Sequence, residues 1–262
     1  MRCDKLGPVL LTVLGCSGSV PGPSSPSSGY LIDAGGARIA VDLGNGTLGE
    51  LQKHADPFSL DALLFSHLHP DHCADFSALT VMRRYHPDPP ADRVAKLPVY
   101  APEEAPTRFA AQYAPDAEER AETDLSDVYQ FHAWPVEAPI NGIGVRVARV
   151  AHPCEAYGMR FEHESRTIVY TGDSGVCDAL TQLAEGADVL LAEASWTHSP
   201  DRPPDLHLSG REAGELAETA RVGRLILTHV PPWTDPDAVL EEAKGAFSGE
   251  VVLAELAARY EI

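Results

Sequence analysis

The chain has 262 residues, of which 39 are acidic and 20 are basic, so its formal net charge is -19 at pH 7. Such a surface opposes binding to nucleic-acid polymers and to anionic membranes, and no apolar stretch reaches the length of a membrane span. The apolar fraction of 44% is sufficient for a large hydrophobic core and excludes a disordered or fibrous chain. We therefore expect a single folded domain over residues 1–262.

The cysteines and the N-terminal segment bear on cellular location. The five cysteines are scattered and include no Cys-x-x-Cys pair, which favours reduced thiols over a disulfide framework. The apolar run that ends at Cys16 follows Arg2 and Lys5 and is similar to a short lipoprotein signal. Because the run is brief and residues 9–14 also make a good first core strand, we expect a cytoplasmic protein.

The hydrophobic pattern of the first third predicts strands, then a helix and another strand. Residues 9–14 form a strand, a Gly-, Pro- and Ser-rich loop follows, and Gly35-Gly36 joins strands 30–33 and 38–42 in a hairpin. A helix begins at Thr47, with Glu50 completing a capping box. Residues 61–65 are the next strand, and the helix beyond it ends near Arg84.

The pattern weakens over residues 85–126, where prolines are frequent. A strand at 97–100 and a helix at 103–113 are expected there, and the rest is interpreted as a lid or a dimer surface. Strands then alternate with helices. The predicted strands are 145–150, 166–170, 188–192, 225–228 and 251–254, and the helices are 178–185, 210–221 and 235–246. This order favours a four-layer αββα sandwich. A doubly wound parallel sheet is the alternative, and the early hairpin argues against it.

One turn concentrates metal-ligand side chains. The run His67-Leu68-His69-Pro70-Asp71-His72 lies between a predicted buried strand and a predicted helix. Imidazole and carboxylate together suit zinc and other first-row divalent ions. On an extended backbone His67 and His69 point the same way and could hold one ion, while Asp71 and His72 could reach a second.

Further candidate ligands follow later strands. His152, Asp173 and His229 each come directly after an apolar strand, which is where sites collect in layered α/β folds. The alternative is that each merely caps a turn. Glu193 ends another strand, and His207 precedes a helix that Ser209 is expected to cap. We interpret His207 as a general acid oriented by Glu193, the alternative being a surface histidine.

These residues resemble a known family. His67-x-His69-x-Asp71-His72, followed in order by His152, Asp173 and His229, resembles the metallo-β-lactamase superfamily, whose fold is the αββα sandwich. Within it the chain is similar to the ribonuclease Z branch of phosphodiester hydrolases. The motifs that carry this second likeness are Leu14-Gly15-x-x-Gly18, Asp42-x-Gly44-x-Gly46-Thr47, Glu193-Ala194-Ser195 and His207-Leu208-Ser209.

The resemblance implies two divalent metal ions, most simply Zn²⁺, with Mn²⁺ or Fe²⁺ as alternatives. It implies His67, His69 and His152 on one ion, Asp71, His72 and His229 on the other, and Asp173 bridging both. Asp71, His207 and Glu193 are the expected catalytic residues. True ribonuclease Z enzymes carry a long basic arm between the motifs of His152 and Asp173, whereas only 20 residues separate them here. With the acidic charge, this disfavours tRNA processing.

A closer likeness is to a compact actinobacterial group of cyclic-nucleotide phosphodiesterases. The longest shared blocks are Leu14 to Val20, Arg83-Arg84-Tyr85-His86-Pro87, Glu193 to Pro200, Pro203 to Gly210 and Thr228-His229-x-Pro231-Pro232-Trp233. The likeness implies hydrolysis of 3′,5′-cyclic AMP to 5′-AMP by a metal-bridging hydroxide. It also implies a homodimer that acts on a small cyclic nucleotide, with no nucleic-acid polymer and no membrane as partner.

Five side chains are candidates for substrate binding. Trp196, Trp233 and Tyr85 could stack on a base, the alternative being core packing. Arg83 and Arg84 could steer the phosphate, the alternative being a solvated helix end. The rival functions are a tRNA 3′-endonuclease, a carbon-centred hydrolase such as a lactonase or thioesterase, and a zinc protein without catalysis.

Overall fold

A computed structural model of the chain describes residues 8–90, 96–135 and 137–262. Arg2 and Lys5, on which the lipoprotein-signal alternative depends, lie outside the described residues, as do residues 91–95 of the proline-rich segment. No described helix combines the length and the apolar character needed to cross a bilayer.

Two seven-stranded mixed sheets form the centre of the molecule. Their strand orders are β14-β1-β2-β3-β4-β5-β6 and β13-β12-β11-β10-β9-β8-β7. The strands are β1 (Leu10–Gly15), β2 (Gly29–Ala34), β3 (Ala37–Val41), β4 (Ala62–Leu64), β5 (Leu97–Ala101), β6 (Tyr129–Ala133), β7 (Glu137–Ile140), β8 (Ile143–Arg149), β9 (Tyr157–His163), β10 (Arg166–Tyr170), β11 (Val189–Glu193), β12 (Arg224–Thr228), β13 (Glu250–Leu253) and β14 (Arg259–Glu261).

Alternation along the strands builds two faces on each sheet. In β4, Leu64 packs into the cluster between the sheets, while Leu63 packs into the cluster under the outer helices. In β10, Ile168 and Tyr170 face inward and Val169 faces the helices. Because successive strand residues point to opposite faces, a strand that is buried on both sides reads as a continuous apolar run. This accounts for the unbroken apolar runs that marked these strands.

Helices cover the outer face of each sheet. Leu51 of α1, Leu79 of α3 and Phe109 of α4 pack on the first sheet, while α6, α7 and α8 pack on the second. The helices are α1 (Thr47–His54), α2 (Pro70–Cys73), α3 (Phe76–Tyr85), α4 (Ala105–Tyr113), α5 (Ala117–Glu122), α6 (Asp178–Ala184), α7 (Gly210–Ala220) and α8 (Pro236–Ala246). The αββα prediction is confirmed, and the doubly wound alternative is wrong because β1, β2 and β3 pair antiparallel.

The strand directions determine where a site can form. Strands β3 to β6 run parallel to one another, and so do β10 to β13. The segments after β3, β4, β10 and β12 come together: Asp42 contacts Ser66 after β4, and His229 after β12 contacts Asp71. The ligand-type residues that follow these strands are thereby collected at one edge of the sandwich.

The start of α1 differs from the prediction. Gly46 in a left-handed conformation is the N-cap, and the Thr47 hydroxyl donates to the carbonyl of Gly44 at 2.7 Å instead of capping the helix. The Asp75 carboxylate accepts from the Leu48 N–H in the first turn. The Glu50 carboxylate accepts from Lys53 and contacts His54. The predicted Ser209 cap of α7 is confirmed, and Glu212 completes a capping box with it.

Candidate metal centre

The histidine turn begins directly after β4. His67 is fully buried, and His69 is the N-cap of the four-residue helix α2, which has Pro70 at its first position. The Nε2 of His67 and the Nδ1 of His69 lie 3.0 Å apart. His152 reaches the same point from the end of β8, where its Nε2 lies 3.2 Å from the His69 Nδ1. Three imidazole nitrogens therefore converge from two different sheets.

A second group lies beside the first and shares one carboxylate with it. Asp71, His72, Asp173 and His229 are all buried, and one ligand atom from each lies within 4.8 Å of the others. The Nε2 of His229 is 3.1 Å from Asp71 Oδ2 and 3.4 Å from Asp173 Oδ2. Asp173 Oδ2 also lies 3.6 Å from the Nε2 of His67 in the first group. Asp173 thus stands between the two sets.

Two buried atoms show that the donor set fits metal ions. His72 Nε2 and Asp173 Oδ1 lie 3.1 Å apart, yet neither has a hydrogen bond to any described residue. Buried polar atoms are rarely left unsatisfied in this way. Nitrogens at 2.0–2.1 Å from a tetrahedral zinc stand about 3.3 Å from one another, close to the separations in the first group. The convergence of nitrogen and carboxylate oxygen without hydrogen bonding is typical of a metal site.

Most of the ligand-type histidines are oriented by a partner on the other ring nitrogen. His72 Nδ1 lies 2.8 Å from Asp42 Oδ2, His152 Nδ1 lies 2.9 Å from the Leu206 carbonyl oxygen, and His229 Nδ1 lies 3.0 Å from Ser195 Oγ. An Nδ1–H that donates to such a partner leaves the Nε2 lone pair directed at the cluster. The protein therefore preorganises these rings.

Asp42 is a functional residue that the sequence reasoning did not identify. It is fully buried, adopts φ +56°, and accepts hydrogen bonds from the Ser66 backbone, the Ser66 hydroxyl and Tyr170 Oη as well as facing His72. Left-handed backbone in a residue other than glycine is strained and clusters at functional sites. Asp42 directly follows β3, so the strand-end argument used for Asp173 would also have found it.

Glycines allow two loops to approach the ligands. A Cβ on Gly18 would lie 2.3 Å from the His229 carbonyl oxygen, and one on Gly44 would lie 2.0 Å from the Asp71 carbonyl oxygen. Both distances are far inside van der Waals contact. These contacts explain in physical terms why glycine occupies the third position of the Asp42-x-Gly44 motif and the end of the Leu14-Gly15-x-x-Gly18 motif.

The charge states of the groups suit metal binding, which requires neutral imidazole and ionised carboxylate. Burial lowers the pKa of His67, His69 and His152. Although burial opposes it, the facing histidines hold the pKa of Asp71 and of Asp173 below the usual range. For His72, Asp173 and Asp42 outweigh burial and raise the pKa, so metal binding there would displace a proton.

His207 and Glu193 form a pair next to the cluster. His207 Nδ1 lies 2.9 Å from Glu193 Oε1, which also accepts from the Ser174 backbone N–H. Glu193 is fully buried at the end of β11, whereas the His207 side chain is 14% exposed. Burial lowers the pKa of His207, but the Glu193 carboxylate raises it more, to about 9. His207 therefore carries a proton at neutral pH and faces solvent beside the ligands.

The predicted base-stacking residues Trp196 and Trp233 lie on loops near residues of the cluster. The Trp196 ring stands edge-on to His207, with 5.2 Å between ring centroids, and the Arg202 guanidinium lies over the Trp196 ring, 5.0 Å from its centroid. Trp233 is 68% exposed in the loop that follows His229. Both rings therefore lie on loops that carry or adjoin residues of the cluster.

The structure corrects the placement of the other substrate-binding candidates. Arg83 lies over the Phe58 ring and lines a cavity with Asp61, which precedes β4. Arg84 pairs with Asp127, which precedes β6, and Tyr85 contacts Tyr113. Helix α3 leads away from the histidine turn, and its ten residues carry its end about 15 Å from its start. Arg83 and Arg84 therefore lie near residues that precede β4 and β6, at the strand ends opposite the histidine turn, while Tyr85 contacts the last residue of α4.

Comparison with known proteins agrees with this geometry. Residues 29–230 match the model of the beta-lactamase superfamily domain. The chain belongs to this superfamily. A probable metallo-hydrolase of Bacillus subtilis, YhfI, is 31% identical over 250 residues, covering 93% of this chain and 96% of the relative. The crystal structure of YhfI matches with a TM-score of 0.83 at 29% identity, covering 97% of this chain and 99% of that one.

Two further relatives of this superfamily member come from mycobacteria. An uncharacterised protein of Mycobacterium leprae is 51% identical over 249 residues, covering 93% of this chain and 85% of the relative. A ribonuclease Z of Mycobacterium bovis is 30% identical over 250 residues, covering 86% of this chain and 87% of the relative. The predicted family is confirmed. Membership in this superfamily implies a metallo-hydrolase that binds divalent metal through the His and Asp clusters described above.

Proposed function

We propose that the protein is a phosphodiesterase with two divalent metal ions, Zn²⁺ first among them, that hydrolyses 3′,5′-cyclic AMP to 5′-AMP. The observation that carries this proposal is the combination of two ligand groups that share Asp173 with the His207–Glu193 pair beside them. A metal site that served only as structure would be closed by its ligands. Here a protonated histidine with a buried carboxylate partner adjoins these two groups and belongs to neither of them.

Each residue of the site has a separate role in the proposed hydrolysis. Divalent ions in the two groups would supply Lewis acidity and a water nucleophile of lowered pKa. His207, whose pKa is raised by the Glu193 carboxylate, donates its Nε2 proton to the ribose 3′-oxygen as that oxygen leaves. Asp71 Oδ2 faces His229 and His72, and we assign Asp71 Oδ1 to accept a hydrogen bond from the attacking water. Asp173 keeps the two ligand groups at a fixed separation.

The preference for a small substrate is supported by the segment between His152 and Asp173. That segment is the hairpin of β9 and β10, whose strands pair antiparallel from Arg166 opposite His163 to Tyr170 opposite Met159. It holds no inserted domain that could grip a folded RNA. The net charge of -19 also opposes a polyanion at a distance. We assign Trp196 and Trp233 to the base of the nucleotide, because an aromatic ring binds any base through its face.

A tRNA 3′-endonuclease is the second candidate, and one specific observation favours it. The Mycobacterium bovis relative that is 30% identical is a ribonuclease Z. Both candidates cleave a phosphodiester with the same ligands, so the metal groups do not distinguish them. The acidic surface and the short β9–β10 hairpin favour the cyclic nucleotide. We further propose that the enzyme is cytoplasmic and that it is a homodimer. Size-exclusion chromatography with light scattering would test the dimer.

A substrate panel tests the proposal. The protein loaded with Zn²⁺, and in parallel with Mn²⁺, is assayed on cyclic AMP, cyclic GMP, bis-p-nitrophenyl phosphate, a precursor tRNA and a lactone. We expect turnover of cyclic AMP with 5′-AMP as product, slower turnover of the artificial diester, and no cleavage of the tRNA or the lactone. Efficient tRNA cleavage at the 3′ end would favour the second candidate instead.

A further inference from the structure

Ser195 lies at a junction between the two halves of the site. Its hydroxyl is 2.8 Å from Glu193 Oε2 and 3.0 Å from His229 Nδ1, and the side chain is buried. A third approach, to the carbonyl oxygen of His229, is longer at 3.4 Å. The same Glu193 contacts His207 through its other oxygen, Oε1. A single chain of contacts therefore runs from His207 through Glu193 and Ser195 to His229.

The backbone holds Ser195 in this position. Its N–H donates to the carbonyl of Leu208, the residue after His207, and its carbonyl accepts from the hydroxyl of Thr234 in the loop after His229. Ser195 thus hydrogen-bonds both to the segment that carries His207 and to the segment that carries His229. Neither bond involves its hydroxyl, which stays available for Glu193 and the imidazole.

The direction of these hydrogen bonds follows from the chemistry of the groups. A serine hydroxyl has one hydrogen to donate, and an ionised carboxylate can only accept. The Ser195 hydrogen therefore goes to Glu193, and the Ser195 oxygen accepts from the Nδ1–H of His229. His229 Nδ1 is thereby the donor to Ser195, and Nε2 points at Asp71 and Asp173, whose oxygens lie 3.1 and 3.4 Å away. Without metal Nε2 hydrogen-bonds to Asp71, and an ion bound there would take its lone pair.

We propose that Ser195 is a positioning residue for the His229 ligand, and that Glu193 orients His207 directly and the second metal group through Ser195. The inference rests on the metal groups of the proposed function but not on its substrate. Mutation of a residue that is hydrogen-bonded to a metal ligand typically lowers metal affinity 10- to 100-fold. Ser195 should therefore affect the ion held by Asp71, His72 and His229 and leave the other ion almost unchanged.

The test measures metal affinity without any activity assay. Metal-free protein is titrated with Zn²⁺ against a chromophoric chelator, and the visible spectrum of the Co²⁺-substituted protein is recorded. We expect Ser195→Ala to lower the affinity for one of the two ions at least tenfold and to alter the Co²⁺ spectrum. Ser195→Thr should restore both the affinity and the spectrum. Ser27→Ala is the matched control, because the buried Ser27 hydroxyl has no hydrogen-bond partner among the described residues, and it should change neither ion.

The outcomes separate this inference from the proposed function. If Ser195→Ala binds both ions with unchanged affinity, the inference is wrong and the phosphodiesterase proposal stands. If the unaltered protein binds fewer than two ions, the binuclear proposal is wrong. In that case, or if Ser195→Ala does not fold, long-range ¹H–¹⁵N NMR of the unaltered metal-free protein decides the inference. With His229→Gln used for assignment, a protonated His229 Nδ1 supports it and an Nδ1 without a proton overturns it.

Discussion

His72 Nε2 and Asp173 Oδ1 face each other at 3.1 Å in the buried centre of the site, and neither forms a hydrogen bond to any described residue. Neighbouring groups fix the orientation of His72 and keep Asp173 ionised. Asp42 holds the far side of the His72 ring, and the neighbouring histidines lower the pKa of Asp173 despite its burial. Such an arrangement is stable in a folded protein when a cation lies between the two groups.

Asp173 belongs to both ligand groups, so its removal should affect both ions. We expect Asp173→Asn, which keeps the shape and removes the charge, to lose most bound metal and nearly all activity. Elemental analysis after dialysis against a weak chelator measures the metal. Asp201→Asn is the control, since Asp201 is exposed and its backbone N–H donates to Ser199. Full metal content in Asp173→Asn would contradict the assignment of the shared carboxylate.

His207 should be dispensable for metal binding and essential for turnover. We expect His207→Ala to retain both ions and to lower kcat by about 10²- to 10⁴-fold, the usual contribution of a general acid. Steady-state kinetics together with metal analysis of the same sample separate the two effects. His54→Ala, which changes a histidine paired with Glu50 on α1, should match the unaltered enzyme. A His207→Ala enzyme with full activity would remove the proposed acid.

The pH dependence of activity should depend on Glu193. A general acid must be protonated, so activity falls as pH rises through its pKa, and Glu193 raises the pKa of His207 to about 9. Glu193→Gln removes the negative charge and lowers that pKa, so the alkaline limb of kcat/KM should move to lower pH. Profiles recorded at saturating metal test this. An alkaline limb at the same pH in both enzymes would show that His207 is not the titrating group.

The aromatic rings should affect substrate affinity more than the chemical step. We expect Trp196→Ala to raise KM for cyclic AMP by about tenfold, because stacking of a base on an aromatic ring contributes ~1–3 kcal/mol, while Trp196→Phe retains most of the affinity. Arg84→Gln is the informative contrast, since Arg84 pairs with Asp127 at the strand ends opposite the histidine turn. A larger KM effect from Arg84→Gln than from Trp196→Ala would reverse this assignment.

The sequence predicted what depends on local pattern and strand ends. His67, His152, Asp173 and His229 could be named because each follows an apolar strand, and such positions meet at one edge of the sandwich. Ser195 was missed because its role depends on contact with His229, 34 residues along the chain. Asp42 ends a predicted strand and could have been named, but only its contact with His72, 30 residues away, shows what it does. The sequence also could not tell whether Arg84 steers a phosphate or ends a solvated helix, since the direction of α3 is set by packing and not by its own residues.

The most direct test of the central claim compares kcat/KM for cyclic AMP with kcat/KM for precursor-tRNA cleavage, both measured on one metal-loaded preparation. The account predicts efficient conversion of cyclic AMP to 5′-AMP, lost in His207→Ala, and no tRNA cleavage, because the β9–β10 hairpin is short and the net charge of -19 opposes a polyanion. Efficient 3′ cleavage of the tRNA with no turnover of cyclic AMP would contradict it.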